Sequence, residues 1–155
     1  MESIFKQPAP HPKHKRNPKW QELMHYFLMD RRQQPFAWGT NDCCMFVADH
    51  IQTVTGFDMA ADYRGQYGSE WGAAKMFAAA GGLENFVALE FKKHGMTEIP
   101  VVFAQRADVL LNRQNGSPAL MVMDFDGIHA LGIHETKGIV RVPALHNCAR
   151  AWRIG

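Results

Sequence analysis

Cysteine and histidine are the side chains of this chain that are best suited to covalent chemistry. Cys43 follows Asp42 directly, and Asn41 or Asp42 is a good N-cap for a helix that begins at this point. The thiolate is the nucleophilic form of cysteine, and the N–H groups at the start of a helix stabilise negative charge. The spacing therefore makes Cys43 a candidate nucleophile and Asp42 a supporting residue. In the alternative interpretation, Cys43 is a small apolar residue on the buried face of that helix.

A catalytic thiol needs a base, and two histidines of one predicted strand are candidates. His129 and His134 are five residues apart, so they face opposite sides of a regular strand and at most one of them can face Cys43. We prefer His129, which follows a turn and lies within the predicted sheet, as the base of a thiol–imidazole pair. In the alternative, His129 is a hydrogen-bonded residue of the sheet without a catalytic role.

The remaining thiols predict neither a disulfide nor a metal site. Cys44 is adjacent to Cys43, and neighbouring cysteines rarely bridge each other. His146 and Cys148 are only two potential ligands, and the sequence lacks the paired-cysteine spacing of zinc sites. We therefore expect reduced thiols and synthesis in a cytoplasm, with no metal and no cofactor.

These residues belong to one predicted domain, residues 20–155, which follows a basic, proline-rich arm, residues 1–19. The arm holds five of the 17 Lys and Arg residues and four of the eight prolines, whereas the domain is close to neutral. Such an arm is expected to be extended or disordered when it is alone. It is either a solvated tail or a segment that orders against a partner. The patterns of a membrane span, a signal peptide and specific nucleic-acid binding are absent from the sequence.

Hydrophobic spacing and turn residues predict an α+β fold in which helices come first and strands second. The predicted helices span residues 20–32, 42–55, 69–80 and 83–94, and glycines follow or separate them. The predicted strands span residues 101–103, 108–112, 119–123, 128–133, 138–142 and 151–154. Short runs separated by turn residues are typical of a small antiparallel meander or barrel.

The segment around Cys43 resembles the motif of NlpC-like cell-wall peptidases, in which a Tyr/Trp-Gly pair leads to Asp-Cys at the start of the central helix. The resemblance is closer to a subgroup from tailed bacteriophages, and it extends from about Trp20 to Ile154. The pieces that carry it are Trp38-Gly39-Thr40-Asn41-Asp42-Cys43, Pro35-Phe36-Ala37, Thr55-Gly56, Tyr63-Arg64-Gly65-Gln66-Tyr67, Gly72-Ala73, Arg106-Ala107-Asp108-Val109 and Ala151-Trp152-Arg153-Ile154.

This resemblance implies a papain-like, NlpC-type fold and a place in the tail tip of a virion, after synthesis in the cytoplasm of the bacterial host. It implies that Cys43 corresponds to the nucleophile, with Asp42 beside it, and that peptidoglycan is the substrate of active relatives. We expect the partners to be other tail proteins of the hub or tip, contacted through the N-terminal arm.

The sequence departs from the NlpC pattern where the catalytic histidine is expected. The Gly-Asp-hydrophobic step reads Ala107-Asp108-Val109, and the next strand opens with Ser117-Pro118-Ala119. Cys44 and Met45 replace the serine and the small residue after the nucleophile. We therefore prefer a structural tail-tip protein over an active thiol peptidase or amidase that cleaves stem peptides during phage entry. A binding module unrelated to phages explains the composition but none of the motif pieces.

Overall fold

The computed structural model describes residues 14–113 and 117–155. In this part of the chain the helices are α1 (Trp20–Arg31), α2 (Cys43–Thr55), α3 (Glu70–Ala78), α4 (Leu83–Lys93) and α5 (Ala144–Asn147). The strands are β1 (Glu98–Ile99), β2 (Val109–Asn112), β3 (Ala119–Met123), β4 (His129–His134), β5 (Gly138–Pro143) and β6 (Cys148–Trp152). A 3-10 helix, Val101–Phe103, lies between β1 and β2.

The six strands form one antiparallel sheet in the order β1-β6-β2-β3-β4-β5. The α+β class is confirmed, because four helices precede this sheet. Strands β2 to β5 pair consecutively, as a meander does, and β6 returns to pair with β2. The sheet is open rather than a barrel, since β1 and β5 are its two edges.

The segment before β2 differs from the prediction. Residues 101–103 form a 3-10 helix instead of a strand, because Pro100 holds φ at −58° and its carbonyl accepts a hydrogen bond from Phe103 N at 2.9 Å. Phe103 N is therefore bonded within its own segment, whereas in a strand it would bond to a neighbouring strand. The strand of this region is β1, which pairs with β6.

The last strand also ends earlier than predicted, because its final residues bind a buried carboxylate. Arg153 Nε donates to Asp108 Oδ2 at 3.0 Å, and Ile154 N donates to Asp108 Oδ1 at 2.9 Å. Ile154 N therefore bonds to a side chain instead of a neighbouring strand, whereas Arg153 N still donates to Thr97 O at 2.9 Å. At its other end, β6 begins at Cys148 instead of residue 151. The four-residue α5 is too short for a periodic pattern, so the sequence does not predict it.

The helix α2 lies at the centre of the main core. Its side chains Phe46, Ile51 and Val54 are completely buried, and the helix packs against α1, β3 and β4. Asp42 caps its N-terminus, and Gly56 ends it in the left-handed conformation at φ 81°, as predicted. The position of Cys43 is therefore fixed by the best-packed helix of the described chain.

The described part of the N-terminal arm, residues 14–19, contacts the domain. His14 Nε2 donates to the carbonyl of His94 at 2.8 Å, and Asn17 N donates to that of Val54 at 2.8 Å. Arg16 donates to Ile154 O at 2.7 Å and to Asp108 Oδ1 at 3.1 Å. Residues 1–13 of the predicted arm lie outside the described residues. None of the described helices has the length and apolarity that crossing a bilayer requires.

Candidate functional site

The carboxylate of Asp42 organises the segment that precedes Cys43. Asp42 is almost completely buried, and its Oδ1 accepts a hydrogen bond from Met45 N at 2.9 Å. Its Oδ2 accepts from Gly39 N at 2.8 Å and from the Tyr67 hydroxyl at 2.6 Å. One side chain thus caps α2, fixes the preceding turn and anchors the chain that follows the helix. Burial and the bond with Asp42 raise the pKa of Tyr67.

The turn before α2 requires a glycine. Gly39 has φ 86°, a region that side chains with a Cβ rarely adopt, and a Cβ at this position would lie 2.2 Å from Tyr67 O. The backbone of the turn therefore contacts the backbone at Tyr67 directly. This close approach explains physically why a glycine stands four residues before the cysteine.

Cys43 is the first residue of α2 and is half-buried, with its thiol between Cys44 and β3. A hydrogen bond from the Cys44 thiol lowers the pKa of Cys43 against the opposing effect of burial, and the Leu120 backbone N–H lowers it further. The negative charge of Asp42 acts in the opposite direction. The pKa of Cys44 is raised, first by the bond with Cys43 and second by burial. In this pair, Cys43 is the residue that ionises first.

His129 lies on the same face of the sheet as Cys43 but at the other end. β3 pairs with β4 so that Met123 is opposite Ala130, and Asp124 N donates to His129 O at 2.8 Å. His129 is therefore opposite residue 124, four positions along β3 from Leu120, which corresponds to about 13 Å. Its Nδ1 is bonded to Asp126 Oδ2 at 2.6 Å. The structure does not bring Cys43 and His129 together.

His134 lies at the opposite end of β4 and on the opposite face of the sheet. Side chains alternate along a strand, so His129 and Leu131 share the face that packs on α2, whereas Ala130 and His134 face away from it. The ring of His134 is exposed, and its Nδ1 accepts a hydrogen bond from Thr136 N at 3.1 Å within the β4–β5 turn. A partner of Cys43 would have to lie on the face that packs on α2 and at the end of the sheet near Leu120. Neither His129 nor His134 meets both conditions.

His146 and Cys148 do not form a metal site with other side chains. His146 is exposed in α5, whereas Cys148 is buried, and burial raises its pKa to about 11. Within residues 14–113 and 117–155, no group of three His, Cys, Asp or Glu side chains is arranged to hold a metal ion.

The buried histidine His50 was missed by the sequence reasoning. It lies two helical turns after Cys43, is fully buried, and donates from Nε2 to Ala107 O at 3.0 Å. Burial lowers its pKa to about 4, so its ring is neutral at pH 7. Ala107 holds the left-handed conformation at φ 74°, which is the conformation that favours glycine. The signal for this contact was the Ala107-Asp108 step, where the NlpC pattern has Gly-Asp.

Residues 15–154 match the profile of a family described as a domain of unknown function, DUF6950. The chain belongs to this family. The DUF6950 match includes Arg16 and Asn17, whose contacts join the N-terminal segment to the domain. No curated protein matches this DUF6950 member.

Proposed function

We propose that this chain is a structural protein of a bacteriophage tail tip, with a papain-like domain of NlpC type. The motif pieces around Cys43 and their order along the chain support the NlpC resemblance. The helix that begins at Cys43 packs against β3 of an antiparallel sheet, which is the arrangement that a papain-like site requires. The left-handed φ of Ala107 agrees with the glycine of the NlpC pattern at that step.

The structural role rests on one observation, that no imidazole of the described residues is found among the partners of Cys43. In the described part of the chain, Cys44 and the Leu120 backbone are the groups that lower the pKa of Cys43, and no histidine is among them. A thiol peptidase needs a base within hydrogen-bond reach of the nucleophile, about 3 Å. His129 is opposite residue 124, which lies about 13 Å along β3 from Leu120, and Asp42 is occupied by three hydrogen bonds that hold the fold.

An active thiol peptidase or amidase is the second candidate, and the lowered pKa of Cys43 favours it. A half-buried thiolate at a helix start is a nucleophile even without a neighbouring imidazole. The experiment is hydrolysis of purified peptidoglycan stem peptides by wild type, Cys43→Ala and Cys44→Ala. We expect no turnover by any of the three. Turnover that Cys43→Ala abolishes and Cys44→Ala preserves would establish the enzyme and remove the structural proposal.

The assembly role is tested separately by shortening the arm. Deletion of residues 1–13 leaves the contacts of His14, Arg16 and Asn17 in place, so we expect the domain to remain folded. The proposal predicts that particles of the encoding phage then lack this protein. Particles that incorporate the shortened chain normally would contradict the assignment of tail-protein binding to the arm.

A further inference from the structure

A groove at the other end of the sheet from Cys43 exposes an unusual amount of apolar surface. Among the described residues, seven large apolar side chains are exposed, and three of them surround this groove. They are Val102, Ile128 and Leu145, with exposed fractions of 67%, 61% and 71%. Each comes from a different segment, and Met123 and Pro143 also line the groove, which encloses about 150 Å³. Clustered exposed apolar side chains mark binding sites on soluble proteins.

The groove continues into a second part that is aromatic and cationic. Ala104 and Gly127 line both parts, so the two parts are neighbours. In the second part, Trp20 stacks on Phe125 with ring centroids 6.4 Å apart. The guanidinium carbons of Arg16 and Arg106 lie 4.4 and 5.6 Å from the Trp20 ring centroid, within the range of cation–π contacts.

The charges of this second part leave a surplus of positive charge. Arg16 is paired with the buried Asp108. Arg106 is exposed and forms no ion pair with a described residue. The carboxylate in the groove, Asp126, is already bound by Arg141 Nη2 at 2.5 Å and by His129 Nδ1 at 2.6 Å. Arg106 is therefore available to a carboxylate from outside the chain.

The apolar side chains are held on a fixed backbone. Asp126 Oδ1 accepts hydrogen bonds from Ile128 N at 2.8 Å and from His129 N at 3.0 Å. The carbonyl of Ile128 accepts from Ala144 N at 2.9 Å, which ties this loop to α5 and Leu145. A preformed groove loses little conformational freedom when a ligand binds. The His129–Asp126 contact has a positioning role here.

We propose that this groove binds an extended segment of a partner protein that carries a large apolar side chain and a nearby carboxylate. The apolar side chain fills the part between Val102, Ile128 and Leu145, and the carboxylate pairs with Arg106. Charge complementarity selects this occupant over a purely apolar surface such as a second copy of the same face. The proposal does not depend on the tail-tip role.

The test is selection of a displayed library of random twelve-residue peptides against the full chain. We expect enriched peptides that combine Leu, Ile, Phe or Met with Asp or Glu, and at least a tenfold weaker binding to Arg106→Glu and to Leu145→Ser. The matched control is Leu89→Ser, since Leu89 is also exposed, at 59%, but lines a different surface. Its binding should equal that of wild type.

Four outcomes would overturn the proposal. The first is the absence of enriched peptides, and the second is enrichment of peptides that bind both groove variants as tightly as wild type. The third is enrichment of peptides without acidic residues, and the fourth is a dimer in sedimentation that Leu145→Ser dissociates. Circular dichroism melts of all variants verify that they are folded, and Val102→Ser replaces Leu145→Ser if that variant is not.

Discussion

The side chains around the two ends of β3 differ in how fully they are buried, hydrogen-bonded or paired with an opposite charge. At the end that holds Leu120, the buried Asp42 uses both carboxylate oxygens, and the half-buried Cys43 packs against the core. At the end of Met123, apolar side chains point into solvent and Arg106 has no described counter-ion. The end at Cys43 is built as part of the core, and the other end has the properties of a recognition surface.

This difference shows that the residues around Cys43 have a structural role that is separate from any chemical role of the thiol. The contacts of Asp42, Gly39 and Tyr67 hold the helix start in place whether or not Cys43 reacts with a substrate. These contacts therefore stabilise the fold independently of any reaction at Cys43. The apolar part of the groove is assembled from three segments that are distant in sequence, near Val102, Ile128 and Leu145, so no local sequence pattern predicts it.

The largest expected effect is at the closed end, for Gly39→Ala. A Cβ would lie 2.2 Å from Tyr67 O, and the φ of 86° is strained for alanine, so we expect a loss of about 4 kcal/mol or more in the free energy of unfolding. The control is Gly56→Ala, which has a similar φ of 81° but no atom within 4 Å of the added Cβ. It should cost only about 1–2 kcal/mol in urea denaturation. Equal losses for the two variants would contradict the close approach of the backbones.

The second effect is a pH dependence from His50, whose pKa is lowered from 6.5 to about 4 by burial. The unfolded chain binds a proton below pH 6.5 and the native chain does not, so stability is full above pH 6.5 and falls as the pH decreases towards 4. The loss attributable to His50 is about 3 kcal/mol at pH 4. We expect the difference in free energy of unfolding between wild type and His50→Gln to shrink over this range. Parallel curves for the two proteins would show that His50 titrates normally.

The third effect concerns the thiol at the closed end. Asp42→Asn removes a negative charge that raises the pKa of Cys43, so we expect faster alkylation of Cys43 by iodoacetamide at pH 7. The variant also loses acceptors for Gly39 N and the Tyr67 hydroxyl, at a cost of about 2 kcal/mol. Peptide mapping by mass spectrometry distinguishes Cys43 from Cys44. An unchanged rate at Cys43 would mean that the Asp42 charge does not reach the thiol.

The smallest effect is expected at the open end. Leu145→Ser and Val102→Ser alter exposed side chains, so each should change the free energy of unfolding by less than about 0.5 kcal/mol. Denaturation with urea measures this, and Leu89→Ser is the reference for an exposed position outside the groove. A loss above about 2 kcal/mol would show that the groove is part of the core, since large losses arise from buried side chains.

The sequence predicted the elements whose signals are local. The cap of Asp42, the stop at Gly56 and the helix between them follow from the side chain and the φ of single residues. The strands β2 to β5 follow from short apolar runs between turns. Residues 101–103 were wrongly predicted to be a strand, because three apolar residues are too few to show the periodicity that distinguishes a strand from a 3-10 helix.

The sequence by itself determined the class of fold, the start of the central helix and the presence of a thiol there, because these depend on capping and on residues that are close along the chain. Tertiary structure alone decided which side chains meet that thiol. The alternation of side chains along a strand shows that His129 and His134 face opposite sides of the sheet. Only the pairing register places His129 opposite residue 124 and far from Leu120. Register is set by contacts between strands and not by either strand alone.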